Sequence, residues 1–509
     1  MVDRSKQMNE RAWVASPVVN YRLRDNTGED FMLQLRTLKD TTSTISDDVL
    51  AAFKTSFSGR VIVPGDDAYD AARKVWNSLI DRRPGLIAQA RGLADVVAAT
   101  VFARTHGLLV SVRGGGHNVS GSAVCDGGIV IDLREMRTVR VDRKTMTAHV
   151  QGGARLADVD RETQLFGLVT TTGNMSDTGI AGLTLCGGMG NMRRKWGLAV
   201  DNLVSVEIVT ASGEVKTANA HENADLFWAV RGGGGNFGIV TSFEFRLYPL
   251  GPEVYFAAQF FAIEDAPHVW RRWRDFVEAS SDDISSLALL WTVPAVDGFP
   301  PELQGKRVFI WAALYAGSPD DAEKATAPLR AIGKPVLDLS GRGPYTTWQK
   351  AFDPLLLPGQ VYPEIYAYWK SIYLGGLSDA VVDDLVQRCK AAPTDQCLIA
   401  LWHLGGAIAR PATGDTAFGR RSAPYLLSYD SCWTDPAKGK AVIQWTRDQI
   451  EAAKPHSPGG SYLNFPGVGA DPDAVREAYG PNYDRLAKIK AEHDPANMFR
   501  MNQNILPAS

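Results

Sequence analysis

Cysteine is scarce in this 509-residue sequence: there are five, odd in number and scattered, at Cys125, Cys186, Cys389, Cys397 and Cys432. No Cys-x-x-Cys pair occurs, which excludes the usual zinc and thiol-exchange motifs and leaves reduced, buried thiols as the expectation. The eight histidines show neither His-x-x-x-His nor His-Glu-x-x-His spacing, so no metal is expected. No apolar run reaches the roughly 18–20 residues that a bilayer span needs. The N-terminal MVDRSKQMNERAW lacks the apolar core of a signal peptide, so a cytoplasmic protein without a membrane partner is expected. Charge of one sign is missing too. The formal net charge is −3 and no block of like charge occurs, which argues against a nucleic-acid partner. Two phosphate-binding fingerprints are also absent. There is no Gly-Lys-Ser/Thr, and no Gly-x-Gly-x-x-Gly opens a helix with an acid about 20 residues on.

What is present is an ordinary globular composition, 45% apolar and 22% charged, long enough for two lobes. Residues 1–45 are polar and weakly periodic and read as an arm. Arg60–Pro64, Leu86–Ala90, Leu108–Val112, Gly128–Leu133, Val139–Val141, Ala148–Gln151 and Val204–Val209 read as strands. Tyr69–Leu79, Ala94–His106 and Tyr483–Glu492 read as helices. From Val254 to Gln449 the texture changes to long apolar strands, two or three amphipathic helices and many Trp and Tyr. That composition suits a flat, aromatic small-molecule substrate.

Three glycine-rich segments carry the chemistry. Arg113–Asn118 (RGGGHN) follows a strand, and consecutive glycine amides in such a turn form a concavity that receives an anion such as a pyrophosphate. Thr172–Asn202 contains glycines at 173, 179, 182, 187, 188, 190 and 197. Such a stretch is not expected to pack as an ordinary helix or strand, and loops of that length usually bind something. Arg231–Thr241 (RGGGGNFGIVT) is a further glycine turn entering a strand.

Taken in order with DGGIVIDL (126–133), KWGLAVDN (195–202) and the tail NYDRLAKIKAEHDPANMFRMNQNI (482–505), these segments resemble the FAD-linked oxidases of the vanillyl-alcohol-oxidase (PCMH-type) fold, in their berberine-bridge-enzyme-like branch. The resemblance runs from Ser58 to Pro507. It implies an α+β, two-lobed molecule: an N-terminal extension (1–50), an FAD-binding domain (51–250), an antiparallel-sheet substrate domain (251–459) and a C-terminal segment (460–509) completing the flavin lobe. It implies FAD joined covalently to His117, a bond that fixes the ring and raises its potential. Several members add a cysteine link, but Met175 stands at that place and cannot form a thioether, so one link is expected.

The resemblance also implies the cofactor contacts. Arg113, Gly114, Gly115, Gly116, Asn118, Ser120 and Gly121 would hold the pyrophosphate. Thr172, Gly173, Thr178, Gly179, Gly182, Leu185 and Gly188 would lie along the flavin, with Gly238, Ile239 and Val240 near the adenine, and Asn502 and Asn504 from the tail. Thr178 stands where relatives gate dioxygen, and its small side chain suits an oxidase that makes hydrogen peroxide. Removal of a hydride is helped by a base. The family's namesake uses a glutamate where Ser428 stands here, beside Tyr429. Relatives with Tyr-x-Asn-Tyr use the second tyrosine, replaced here by Phe465. Tyr462 and Tyr429 are therefore the candidate bases, with His403 outside them. The alternatives are a dehydrogenase or oxidative cyclase using another acceptor, or a flavoprotein without turnover. Either a monomer or a homodimer is compatible with the sequence.

Overall fold

Short β-rich segments separated by glycine turns dominate the first half of the chain, and in a computed structural model, which describes residues 32–467 and 472–509, they build two larger sheets and two two-stranded pairs. Leu86–Gln89, Ile129–Asp132 and Val110–Arg113 run parallel, with Arg60–Ile62 antiparallel at the edge. All four residues of the Leu86–Gln89 and Ile129–Asp132 strands are buried, as expected when helices and loops cover both faces. The second sheet is antiparallel, in the order Val215–Asn219, Leu203–Val209, Ile239–Arg246, Thr147–Gln151, Val139–Asp142.

The later half forms one large antiparallel sheet. Its central order is Glu253–Ala262, Arg307–Tyr315, Ile284–Thr292, Cys397–His403, Tyr425–Trp433, Tyr366–Leu374. Four longer helices, Ala266–Ala279, Pro319–Arg330, Asp379–Lys390 and Gly439–Ala453, lie on one face. The strands are apolar on both faces, because one face meets these helices and the other meets the first half of the chain.

Several expectations are corrected. The arm foreseen before residue 45 lies outside the described residues as far as Phe31. Beyond it, Leu33–Arg36 and Thr42–Ile45 form a hairpin, with Leu33, Leu35 and Ile45 buried in the core of the parallel sheet. The alternation Leu-Gln-Leu-Arg is the period-two pattern that puts them there. The helix foreseen at Tyr69–Leu79 stops at Arg73. The glycine passage does contain regular structure: Ile180–Leu185 is a helix turn and a half long, and Arg193–Trp196 is one turn. A helix at Pro472–Tyr479 was not foreseen. No helix among the described residues is long and apolar enough to cross a membrane.

Candidate active site

A cavity of about 280 Å³ lies between the glycine segments of the first half and the sheet of the second. Its first wall is backbone. The strand Val110–Arg113 ends in the turn Gly114–Gly116, which passes so close to the Thr172–Asn202 segment that a Cβ on Gly115 would sit 2.3 Å from the Gly179 nitrogen. Gly116 has φ +75°, a conformation that disfavours any side chain. Among the described residues the amides of Gly115, Gly116 and His117 donate no backbone hydrogen bond. Gly114, Gly115, Gly116, His117, Asn118, Gly173, Thr178, Gly179, Gly182 and Leu185 all line the cavity, as do Gly238, Ile239, Val240 and Asn502.

The other sequence candidates sit behind this wall. Arg113 is buried and faces away: its guanidinium donates to the carbonyls of Ala72 (2.6 Å) and Lys74, and it braces Gly116 from behind. Burial, joined by Arg134 and Arg155 and opposed by Asp132, lowers its pKa to about 10. Ser120 donates to Asn118 Oδ1 at 2.6 Å, and Gly121 fits against Ile80. Thr172 accepts from Gln349 Nε2 at 3.0 Å. Gly188, at φ +82°, donates its amide to Tyr462 Oη at 3.0 Å. Asn504 does not reach the cavity. These residues shape the wall rather than form it.

The C-terminal segment closes the floor. Lys490 and Asp494 are an ion pair at 2.6 Å, both fully buried. Lys490 Nζ also donates to the carbonyls of Asn236 (2.8 Å) and Phe499 (3.0 Å), and Asp494 accepts the amides of Met498 and Phe499. Two charges without water need such a full set of partners. The result seats the segment that brings Phe499, Met501, Asn502 and Gln503 to the cavity, where Asn236 donates to the Gln503 carbonyl. Sequence reasoning named only Asn502 among them.

His117 occupies the head of the cavity. Its ring stacks on Trp76, centroids 4.5 Å apart. Its Nε2 lies 3.0 Å from Asp177 Oδ1, off the line of a good hydrogen bond, so both atoms keep an unsatisfied capacity. Burial pushes the Asp177 carboxyl up, but His117 and Arg155 together hold it below its ordinary value. Met175 lines the cavity beside Trp76 and Trp369. Cys186 also lines it, but burial pushes its thiol up to about 12.

The second wall is the large sheet. On the strand Tyr425–Trp433 all nine residues are buried, so exposure gives no clue to facing. Tyr425, Leu427 and Tyr429 pack with the helix layer. Tyr429 meets the Trp445 ring edge-on at 5.8 Å, and burial raises its pKa. The candidate base Tyr429 therefore points away from the cavity. His403 does likewise: its Nε2 is 3.3 Å from Arg194, and burial with that neighbour lowers its pKa to about 2. Ser428 accepts from the Trp402 indole at 3.3 Å.

Two residues along the same face stands Asp430, which the sequence reading passed over. It is 9% exposed, lines the cavity, and its Oδ1 has no protein partner. Burial, opposed only by Ser428, raises its pKa to about 7. The signal was available in YLLSYDSCW: in a strand, residues two apart share a face, so Ser428 and Asp430 do.

The other candidate base, Tyr462, does line the cavity. Its oxygen accepts from the amides of Gly188 and Met189 (3.0 and 3.1 Å) and from Asn464 Nδ2 (2.8 Å). Burial pushes it up to about 12. The two amide donors tie down the 187–190 loop. Among the described residues no cluster of His, Cys, Asp and Glu is placed to hold a metal.

Comparison with known proteins gives this architecture a family. Residues 84–219 match the FAD binding domain model, and residues 461–506 match the model described as berberine and berberine like. The (R)-6-hydroxynicotine oxidase of Paenarthrobacter nicotinovorans is 31% identical over 477 residues, covering 89% of this chain and 97% of that one. An FAD-linked oxidoreductase of Bacillus subtilis is 29% identical over 459 residues, covering 89% and 98%. The crystal structure of 6-hydroxy-D-nicotine oxidase from Arthrobacter nicotinovorans superposes with a TM-score of 0.79, at 28% identity and 89% and 99% coverage. The glycine wall, the berberine-like tail and the facing antiparallel sheet thus identify the chain as a member of the berberine-bridge-like FAD-linked oxidoreductases.

Proposed function

We propose that the chain is an oxidase that holds FAD covalently through His117 and takes the substrate's proton on Asp430. Bound FAD supplies the redox chemistry, accepting a hydride from a substrate carbon and passing the electron pair to dioxygen to give hydrogen peroxide.

The residues present suit that cofactor. A wall made of backbone at Gly114–Gly116 and Gly179 leaves room for a flat ring, and amides without backbone acceptors favour a pyrophosphate. Along the cavity, both side-chain polar atoms of Asn174 and the Oδ1 of Asn502 are buried without a partner, which a ligand of mixed polarity would satisfy. The Asp177 carboxylate beside Nε2 favours the tautomer with its proton there, leaving Nδ1 the neutral, nucleophilic nitrogen. Met175 offers no second link. We assign residues 51–250 and 460–509 to the flavin lobe and 251–459 to the substrate lobe.

Asp430 suits the proton-accepting role because a base is most effective with a pKa near working pH, and burial brings it to about 7. Tyr462 holds the glycine loop that faces it. The observation that carries the reading is the meeting of His117 and Asp430 in one cavity, on opposite walls. The test is anaerobic bleaching of the yellow protein by a substrate, followed by mixing with oxygen. Rapid recovery of colour with peroxide release is expected. Recovery that needs another electron acceptor would overturn the oxidase assignment, and pigment that no substrate bleaches would overturn catalysis.

A further inference from the structure

A second cavity, of about 180 Å³, opens from the first on the sheet side, and the two share Leu287, Leu289, Leu398 and Asp430 in their walls. Its walls are aromatic. Phe256 stacks on Trp348 with centroids 4.7 Å apart, and Trp291 meets Phe299 edge-on at 6.0 Å. Beside the hydroxyl of Tyr362 and the indole N–H groups of Trp291 and Trp348, the polar groups along it are Asn174, Asn191, Thr292, Gln396 and two acids, Asp395 and Asp430. Among the described residues no lysine or arginine lines either cavity.

We infer that this cavity is the substrate pocket and that it takes a neutral or cationic aromatic compound bearing a hydroxyl or amine on the carbon next to the ring. This rests on the reading of Asp430 as the proton acceptor.

Three features argue for that class. The first is size: a cavity of about 150 Å³ is enough for one benzene ring, so 180 Å³ seats a ring with a short substituent. The second is charge. An anionic substrate would be buried without a cation and next to a carboxylate, an arrangement that opposes binding. The third is the poverty of polar partners. A sugar would strand several hydroxyls against Phe256, Phe260, Leu287 and Leu289, each left unpaired at a cost in binding. A single O–H or N–H finds an acceptor in Asp430 Oδ1, which is buried without a partner, and Asn174, whose amide is also unpartnered, can take one further polar group. Asp430 stands at the junction, where the reacting carbon would face the glycine wall.

The test measures binding to the flavin-loaded protein from perturbation of its visible spectrum and by calorimetry. The probes are 4-methylbenzyl alcohol, 4-methylbenzylamine, 4-methylbenzoate and cellobiose. The alcohol and the amine should bind, the benzoate at least tenfold more weakly than the alcohol of equal shape, and cellobiose not at all. In Asp430→Asn, with its visible spectrum unchanged as evidence of folding, the alcohol should still bind and the penalty on the benzoate should shrink at least threefold. Benzoate or cellobiose binding as tightly as the alcohol would overturn the substrate class, and so would failure of both the alcohol and the amine to bind. Turnover is read separately. Asp430→Asn that binds the alcohol and still oxidises it at the wild-type rate would overturn the role of Asp430 while leaving the class standing.

Discussion

The two walls of the cavity recognise by different means. The first wall is main chain: glycines held so close that Gly115 and Gly179 leave no space for a methyl group, with the side chains of Arg113, Ser120 and Tyr462 bracing it from outside or from its edge. The second is side chain: one face of an antiparallel sheet, where Leu287, Leu398, Trp402 and Asp430 project from neighbouring strands. A main-chain wall can be altered only by breaking it. A side-chain wall can be rewritten residue by residue, which suits a cofactor fixed across a family and a substrate that varies within it.

The comparison breaks most sharply at Asp430. Asp430→Asn should lower turnover by roughly 10²–10⁴-fold, the usual contribution of a positioned base, measured with the benzylic alcohol at pH 8. The pH profile sharpens this. Because the carboxylate is the active form and burial places its pKa at about 7, turnover should rise with pH through that region, and the rise should vanish in the variant. On the opposite wall, Gly115→Ala places a Cβ against the backbone of Gly179. It should abolish flavin incorporation and cost at least about 1–3 kcal/mol of stability, as overpacking does, read by absorbance and thermal melting.

Stability should move oppositely at the two walls. The folded-state pKa of Asp430 lies above the ordinary carboxylate value. The folded protein therefore holds a proton that the unfolded chain has released, and stability falls as pH rises between about 4 and 7. Asp430→Asn should remove that loss and raise stability at pH 8 by on the order of 2–4 kcal/mol, seen as a higher Tm at pH 8 but not at pH 4. An inactive variant that is more stable would mark the site as strained for function. The smallest effect is expected at Tyr429→Phe. Its hydroxyl lies on the helix side, so turnover should stay within about twofold and stability within about 1.5 kcal/mol, the range of a volume-conserving change.

The same contrast explains what could be read from the sequence. Glycine spacing is a local signal, because each glycine answers to its own φ or its own close neighbour; fourteen of the cofactor candidates, from Gly114 to Asn502, do line the cavity. The side chains of Arg113 and Ser120 lie behind the wall, and sequence order does not say which way a side chain leaves a turn. On the sheet, facing depends on register, and a strand buried on both sides hides it: Tyr429 and Asp430 are adjacent, both buried and opposite in direction. The buried Lys490–Asp494 pair that seats the tail was invisible because its partners, Asn236 and Phe499, are set by tertiary contact. The hairpin at Leu33–Ile45 was missed although its alternation was plain, because polar flanks masked eight short-strand residues.

The central claim is that His117 tethers the flavin on the glycine wall. Intact-protein mass, taken with the visible spectrum of acid-precipitated protein, tests it directly. Wild-type chain should carry the added mass of one FAD and keep its yellow colour in the pellet, while His117→Ala should lose both. A wild-type pellet that is white, with the unmodified chain mass, would contradict the account.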